Sequence, residues 1–397
     1  MRFRHPDGST VHLAYCTNVH PAETLDGVLA QLRDHCAPVR RRLGRERLGI
    51  GLWLAADAAQ TLAEQPEALR ALRAELRANG LEVVTLNGFP YRGWGQARVK
   101  RRVYHPDWTT PERLNHTTTL ARILAALLPD DEPEGTISTL PLAWREPFPD
   151  TARDRALARL TDLAERLDAL AEETGRGIRL ALEPEPGCVV ETTEQAAALL
   201  TGSGAPPTHR VGVCLDTCHL ATAFEDPDAA VDRLDAAGVP VVKAQLSAAL
   251  HAERPDLPEV RAALAEFAEP RFLHQTRERP QGTNTGPVAA RDDLDIALDG
   301  PDALPGDGPW RVHLHVPLHA QPASPLTATL PLVTRTLARL VGGPTPLTRH
   351  LEVETYTWQV LPPALRPTTP DRLADGIAAE LALARDQLIS LGLKELP

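Results

Sequence analysis

The sequence predicts an α/β fold closed as a (β/α)8 barrel, and three observations predict it. Short β-prone apolar runs alternate with helix-periodic segments from residue 10 onward, the pattern of parallel strands joined by crossover helices. Several runs end on a carboxylate, amide or imidazole, and in a barrel the carboxyl ends of the strands open on one shared face. At 397 residues the chain has room for one large barrel with insertions.

Residues 10–17 alternate and form the first strand; 23–43 follow at helical spacing, with Leu25, Val28, Leu29 and Leu32 on one face. The second strand is expected at 47–55, then a helix at 58–79 that Gly80 closes. Residues 81–89 make the third strand, ending in Asn87-Gly88. A basic and aromatic loop interrupts at 90–108, carrying Tyr91, Trp94, Tyr104 and Trp108 among Arg92, Arg98, Lys100, Arg101 and Arg102. It reads either as a solvated loop of salt-bridged arginines or as a lid whose cations meet a phosphate or carboxylate. Strands then resume at 135–142, 178–185, 211–215 and 241–247, with helices at 111–128, 151–174, 191–201 and 227–237. A helix at 255–267 precedes a Gly-, Pro- and Asp-rich stretch at 279–309, read as a long insertion. Strand-like runs at 310–318 and 350–357 and helices at 326–340 and 371–391 finish the chain. That makes nine candidate strands for eight places, and 311–317 is the one expected outside the barrel. One domain over 1–397 is expected, with insertions at about 90–108 and about 268–320.

Hydrophobic residues at 43% and charged residues at 24% suit a packed core and not a disordered chain. A net charge of −11 gives no attraction to nucleic acid or to an anionic membrane. Residues 1–20 include His5, Asp7 and His12 and lack a signal-peptide core, and no run of about 18 apolar residues occurs. A cytoplasmic protein with no nucleic-acid or membrane partner is expected. The five scattered cysteines (Cys16, Cys36, Cys188, Cys214, Cys218), without a CxxC pair, read as small buried side chains in a reducing compartment.

Four strand ends carry groups suited to a divalent cation: Glu183 with Glu185, Asp216 with His219, Gln245, and Glu354 with Glu352. Hard oxygen ligands with one imidazole or amide suit Mn²⁺, Mg²⁺ or Co²⁺, and Zn²⁺ if more histidines join. Period two puts Glu183 and Glu185 on one strand face, and Glu352 and Glu354 on another. Glu183 and Glu354 are favoured, each standing next to the break that ends its strand. A single Glu at a strand end is ordinarily a solvated or salt-bridged surface group. Four such groups buried together without a cation would repel and resist ionisation, so the set points to a metal. His313, His315 and His319 form a second cluster, read either as ligands, with His315 a further candidate, or as hydrogen-bonding groups at the barrel mouth. Asn87 reads as a substrate donor or a turn residue, and Lys243 as a catalytic or substrate group or a carboxylate's partner. Arg92 and His313 complete the substrate-binding candidates.

Val213-Cys-Leu-Asp-Thr-Cys-His219 resembles the sixth-strand motif of the xylose isomerase-like TIM-barrel superfamily, which includes sugar epimerases and isomerases, inosose dehydratases and endonuclease IV-type nucleases. By that resemblance Glu183, Asp216, Gln245 and Glu354 match, in chain order, the epimerases' four metal ligands, with Gln245 where many members have His. His219 matches their substrate-contacting His. More narrowly, Leu13-Ala-Tyr-Cys-Thr-Asn-Val-His20, Leu86-Asn-Gly-Phe-Pro90, Val103-Tyr-His-Pro-Asp-Trp108 and His315-Val-Pro317 make the chain similar to the EboE "metabolite traffic protein" family. The resemblance implies a divalent-metal-dependent isomerase or epimerase of a polyol, ketose or cyclitol, free or phosphorylated, with Glu183 and Glu354 as acid/base pair across a cis-enediolate. A cyclitol dehydratase, an endonuclease IV-like zinc phosphodiesterase and a non-enzymatic metabolite carrier are the alternatives. The phosphodiesterase needs His ligands after the third and fourth strands, where Leu86-Asn87-Gly88 and Thr139-Leu140-Pro141 stand instead.

Overall fold

The computed structural model describes residues 1–280, 282 and 288–397. The chain opens with β1 (Arg2–Arg4), which hairpins into β2 (Thr10–Cys16) in the register Phe3↔Val11. Parallel strands follow in order around the barrel: β3 (Leu48–Trp53), β4 (Leu81–Asn87), β5 (Glu134–Thr139), β6 (Gly177–Leu182), β7 (Val211–Asp216) and β8 (Val241–Leu246). The chain then leaves the barrel to build a five-stranded sheet from β9 (Ala248–Ala252), β10 (Thr276–Glu278), β11 (Ala289–Arg291), β12 (Trp310–Val316) and β13 (Thr327–Ala328). It returns as β14 (His350–Val353), which closes the barrel by pairing with both β8 and β2, Glu352 lying beside Gln245 and Ala14. A final β15 (Lys394–Glu395) pairs with β1.

This is a closed (β/α)8 barrel, and β12 is the ninth run left outside it. The insertion starts with β9 directly after β8, earlier than expected, because 241–247 was read as one strand with nothing beyond it. Part of the expected 279–309 insertion lies outside the described residues.

The outer helices form where apolar periodicity places them. Asp150–Thr174 buries Leu157, Leu160, Leu163, Leu167 and Leu170 against the sheet and ends at Gly175, whose φ of 70° suits a glycine. Two expected helices are interrupted, each near a proline. The first is α over Leu25–Gln31, widens to a π turn over Leu32–Cys36 and resumes over Ala37–Arg42; Pro38 has no N–H for the carbonyl four residues back. The second breaks at Gln65-Pro66 into Ala56–Glu64 and Pro66–Ala78, since the residue before a proline is pushed toward extended backbone.

The barrel interior holds an ion pair as well as apolar side chains. Lys243 Nζ lies 3.2 Å from Glu352 Oε2, and both side chains are 0% exposed. Gly51 makes that room: a Cβ there would fall 1.5 Å from the same oxygen. Among the described residues, no helix is long and apolar enough to cross a membrane.

Candidate metal and substrate site

Strands β6, β7 and β14 bring Glu183, Asp216 and Glu354 to one point at the carboxyl end of the barrel. One oxygen from each lies within 4.8 Å of the others, and all three residues are buried. Asp216 caps the short helix Thr217–Thr222: its Oδ1 accepts from the backbone N of Cys218 (2.6 Å) and His219 (3.1 Å) and from Ser247 Oγ (2.8 Å). Its Oδ2 has no partner, and neither has Glu183 Oε2. Glu354 Oε1 accepts from Asn18 Nδ2 (2.7 Å) and Asn87 Nδ2 (2.8 Å). Burial, then the Glu354 and Asp216 charges, hold the Glu183 carboxyl well above the usual carboxylate range. Burial, then Asp216 and Glu352, do the same to Glu354. Three buried carboxylates repel, and two of them aim an unpaired oxygen; a divalent cation supplies what both facts lack. The donor set fits a metal.

Gln245 lies beside Asp216 in the sheet register and is fully buried. Its Oε1 accepts from Cys214 Sγ at 3.5 Å while Nε2 has no partner. Turning the amide over exchanges those atoms, which is what a ligand role for Gln245 requires.

Three imidazoles stand beside the carboxylates. His219 Nδ1 lies 3.0 Å from Pro184 O and His315 Nδ1 lies against Glu354 O, so both nitrogens carry the ring hydrogen. Gln275 Nε2 donates to Tyr104 Oη and Pro186 O, both at 2.9 Å, which turns its Oε1 toward His313 Nδ1 at 2.8 Å and places a hydrogen there too. All three rings are left with a lone pair at Nε2. Those of His219 and His313 face each other at 3.1 Å, and that of His315 has no partner. Facing lone pairs repel unless a proton or a metal ion lies between them, and an Nδ1–H bonded to a carbonyl is how a ligating His is held. Burial, then His219 and His315, hold His313 well below the usual histidine range, and burial takes His315 down to about 4 against the pull of Asp216. Glu185 borders this set, accepting from Tyr104 Oη at 2.7 Å, with its pKa raised by burial.

The model of the xylose isomerase-like TIM-barrel family matches residues 49–266, more than half of the sequence. The chain belongs to the xylose isomerase-like TIM-barrel family. Among solved structures it is similar to a protein described as a sugar phosphate isomerase/epimerase from Anabaena variabilis, at 16% identity over 97% of this chain and 100% of that one, TM-score 0.50. It is also similar to D-psicose 3-epimerase in the presence of D-fructose (13% identity, 95% and 99% covered, TM-score 0.48) and to IolI protein with a bound zinc atom (13%, 96% and 99%, 0.47). At such identities the likeness is one of fold. No curated protein matches the chain.

For this member of the xylose isomerase-like family, the residues expected at the site divide into two groups. Glu183, Glu354, Asn87, His219, His313 and His315 line one pocket. Asp216 and Gln245 lie beneath it, each 2% exposed or less. Lys243 is corrected: it is sealed in the barrel, donating to Ser138 Oγ (3.1 Å) and paired with Glu352, so no substrate reaches it. Arg92 is corrected too: it is exposed and its guanidinium sits 5.1 Å from the Tyr91 ring centroid, outside the pocket lining. His319 stacks on Trp358 and leaves the imidazole cluster. The 90–108 loop does cover the pocket, but with its apolar side. Trp94, Val99, Val103 and Tyr104 face inward, whereas Lys100 and Arg101 pair with Asp293 and Asp292 of the insertion.

Asn18, Ser247, Phe272, Gln275 and Tyr356 escaped the sequence reading as site residues. Asn18 had a signal, since it stands in the turn just past the end of β2 inside Leu13–His20, much as Asn87 ends β4. Phe272 and Gln275 had none; they lie in irregular chain ahead of β10, and only the sheet order brings them over the barrel mouth.

Proposed function

We propose that this protein is a divalent-metal-dependent isomerase or epimerase acting on an α-hydroxy-carbonyl compound of the ketose, polyol or cyclitol type. One observation carries the reading: Glu183, Asp216 and Glu354 converge from three strands with unpartnered oxygens on the first two. Membership of the xylose isomerase-like family supports it. Bound Mn²⁺, Mg²⁺ or Co²⁺, or zinc with imidazole help, would supply a Lewis acid that holds two adjacent substrate oxygens and acidifies the hydrogen alpha to the carbonyl. Glu183 and Asp216 would hold it, with Glu354, Gln245 and His315 as the remaining ligands. Glu183 takes the proton from one face, and Glu354, oriented by Asn18 and Asn87, returns one to the opposite face of a cis-enediolate. His219 and His313 hydrogen-bond the substrate's oxygens at the pocket floor. The test is solvent deuterium entering a substrate carbon: Glu183→Gln and Glu354→Gln must each slow it by about 10²- to 10⁴-fold, and full exchange in both would sink the assignment.

We also propose that the chain belongs with the EboE family. Asn18, Asn87 and His315, one from each of three quoted motifs, all hydrogen-bond Glu354, and Tyr104 of the fourth reaches Glu185. A second reading, a zinc phosphodiesterase holding several ions, draws support from the facing Nε2 atoms of His219 and His313. The absence of His at the ends of β4 and β5 weighs against it. More than one zinc per chain with phosphodiester cleavage would favour it.

A further inference from the structure

The pocket has two chemically opposed sides. Its floor is polar, built from Glu183, Glu354 and the three imidazoles. Its outer wall is apolar: Trp94, Phe272 and Tyr356 form a triangle of rings with centroids 5.0 Å apart in every pair, flanked by Val99 and Val103. Trp94 has spent its polar atom on Asn18 O, at 2.9 Å, so it offers the pocket only its π face. Phe272 is held in place by Glu269, which accepts from the backbone N of Arg271 (2.6 Å) and Phe272 (2.8 Å).

No free side-chain cation lines this space among the described residues. Among the described residues lining the pocket Lys100 is the only Lys or Arg, and its ammonium is taken by Asp293 and by Glu269 O. Glu183, Glu185 and Glu354 meanwhile line the same space. Away from the floor where the cation would sit, a phosphate or carboxylate on the substrate would meet Glu185 and the aromatic wall with no free Lys or Arg to pair it. A bare polyol gains little at the outer end, where of the three rings only Tyr356 carries a hydroxyl toward the floor, 3.5 Å from His313 Nε2.

We propose that the substrate is uncharged and amphipathic: an α-hydroxy-carbonyl head on the polar floor and an alkyl or aryl arm against Trp94, Phe272 and Tyr356. This rests on the isomerase reading for the head alone; the arm follows from the wall.

The experiment uses the full-length protein loaded with Mn²⁺ and a series of probes: 1-hydroxyalkan-2-ones of four, six and eight carbons, dihydroxyacetone, and dihydroxyacetone phosphate. Binding is read from Trp fluorescence, and solvent deuterium uptake at carbon by mass spectrometry. The expected result is a Kd that falls about fourfold per added methylene, and phosphate binding no tighter than dihydroxyacetone. Phe272→Ala flattens the chain-length dependence; if that variant does not fold, the wild-type series still decides. A Kd independent of chain length, or tighter binding of the phosphate, overturns the proposal. Steep chain-length dependence with no deuterium uptake from any probe removes the isomerase reading and leaves the amphipathic ligand standing. Deuterium uptake from dihydroxyacetone with a flat series does the reverse.

Discussion

Replacing Lys243 by Met tests the electrostatic floor beneath the site. The ammonium lies 3.2 Å from Glu352 Oε2, with both groups sealed from water. Neither Glu352 oxygen has a hydrogen-bond donor, so the ion pair is its whole compensation. Burial depresses the Lys243 pKa, and the neighbouring groups, Glu352 first and then Cys214, Cys16 and Glu354, together more than reverse that, so the cation persists across the working pH range. At an effective dielectric of about 20, charges at this separation of 3.2 Å attract by about 5 kcal/mol. Removing one member of a buried pair costs about 3–5 kcal/mol, because the other is stranded. Lys243→Met is therefore expected to lower the unfolding free energy by that amount in urea titrations. Lys243→Met/Glu352→Leu is expected to recover to within about 1 kcal/mol of the wild type, as apolar replacements of buried pairs often do. Losses that simply add in the double variant would show that the two residues do not depend on each other, and the reasoning would be refuted.

Other outcomes follow from the same geometry. Gly51→Ala pushes a methyl into the Glu352 carboxylate and is expected to cost as much stability as Lys243→Met, measured by the same titration. Glu183→Gln and Glu354→Gln are each expected to slow deuterium uptake from an accepted hydroxyketone by about 10²- to 10⁴-fold. Asn18→Ala removes one of two donors to Glu354 Oε1, and a rate loss of roughly ten- to a hundredfold is expected, about 1.5–3 kcal/mol for a charged hydrogen bond. Glu380 is buried and pushed up from 4.5 to about 7, chiefly by burial. A raised carboxyl pKa adds stability that is complete below 4.5 and is lost as pH rises through 7, about 3 kcal/mol in all. Unfolding titrations from pH 4 to 9 should show that decline in the wild type and not in Glu380→Gln; an identical decline in both would assign it elsewhere.

The barrel was legible because its signal is local. Period-two runs and leucine stripes such as Leu157–Leu170 follow from the core each element faces, and the strand-end carboxylates follow from strand direction. Glu354 and Glu352 part by depth: Glu354 clears the barrel floor, while Glu352, one pleat deeper, meets Lys243. What the sequence could not reveal depends on long-range placement. Lys243 looks the same in a list of residues whether it faces substrate or a buried glutamate. The basic loop looked suited to a phosphate because Asp292 and Asp293, nearly two hundred positions away, were not visible as its partners. The aromatic wall joins residues from the 90–108 loop, the insertion and the end of β14, which no periodicity connects.

The most direct test of a metal-dependent enediolate site is to titrate Mn²⁺ into chelator-stripped protein while following deuterium uptake by 1-hydroxyhexan-2-one. Uptake is expected to be absent without metal, to rise to saturation at about one equivalent per chain, and to be lost in Asp216→Asn. Uptake at the full rate in excess chelator, or undiminished in Asp216→Asn, would contradict the account.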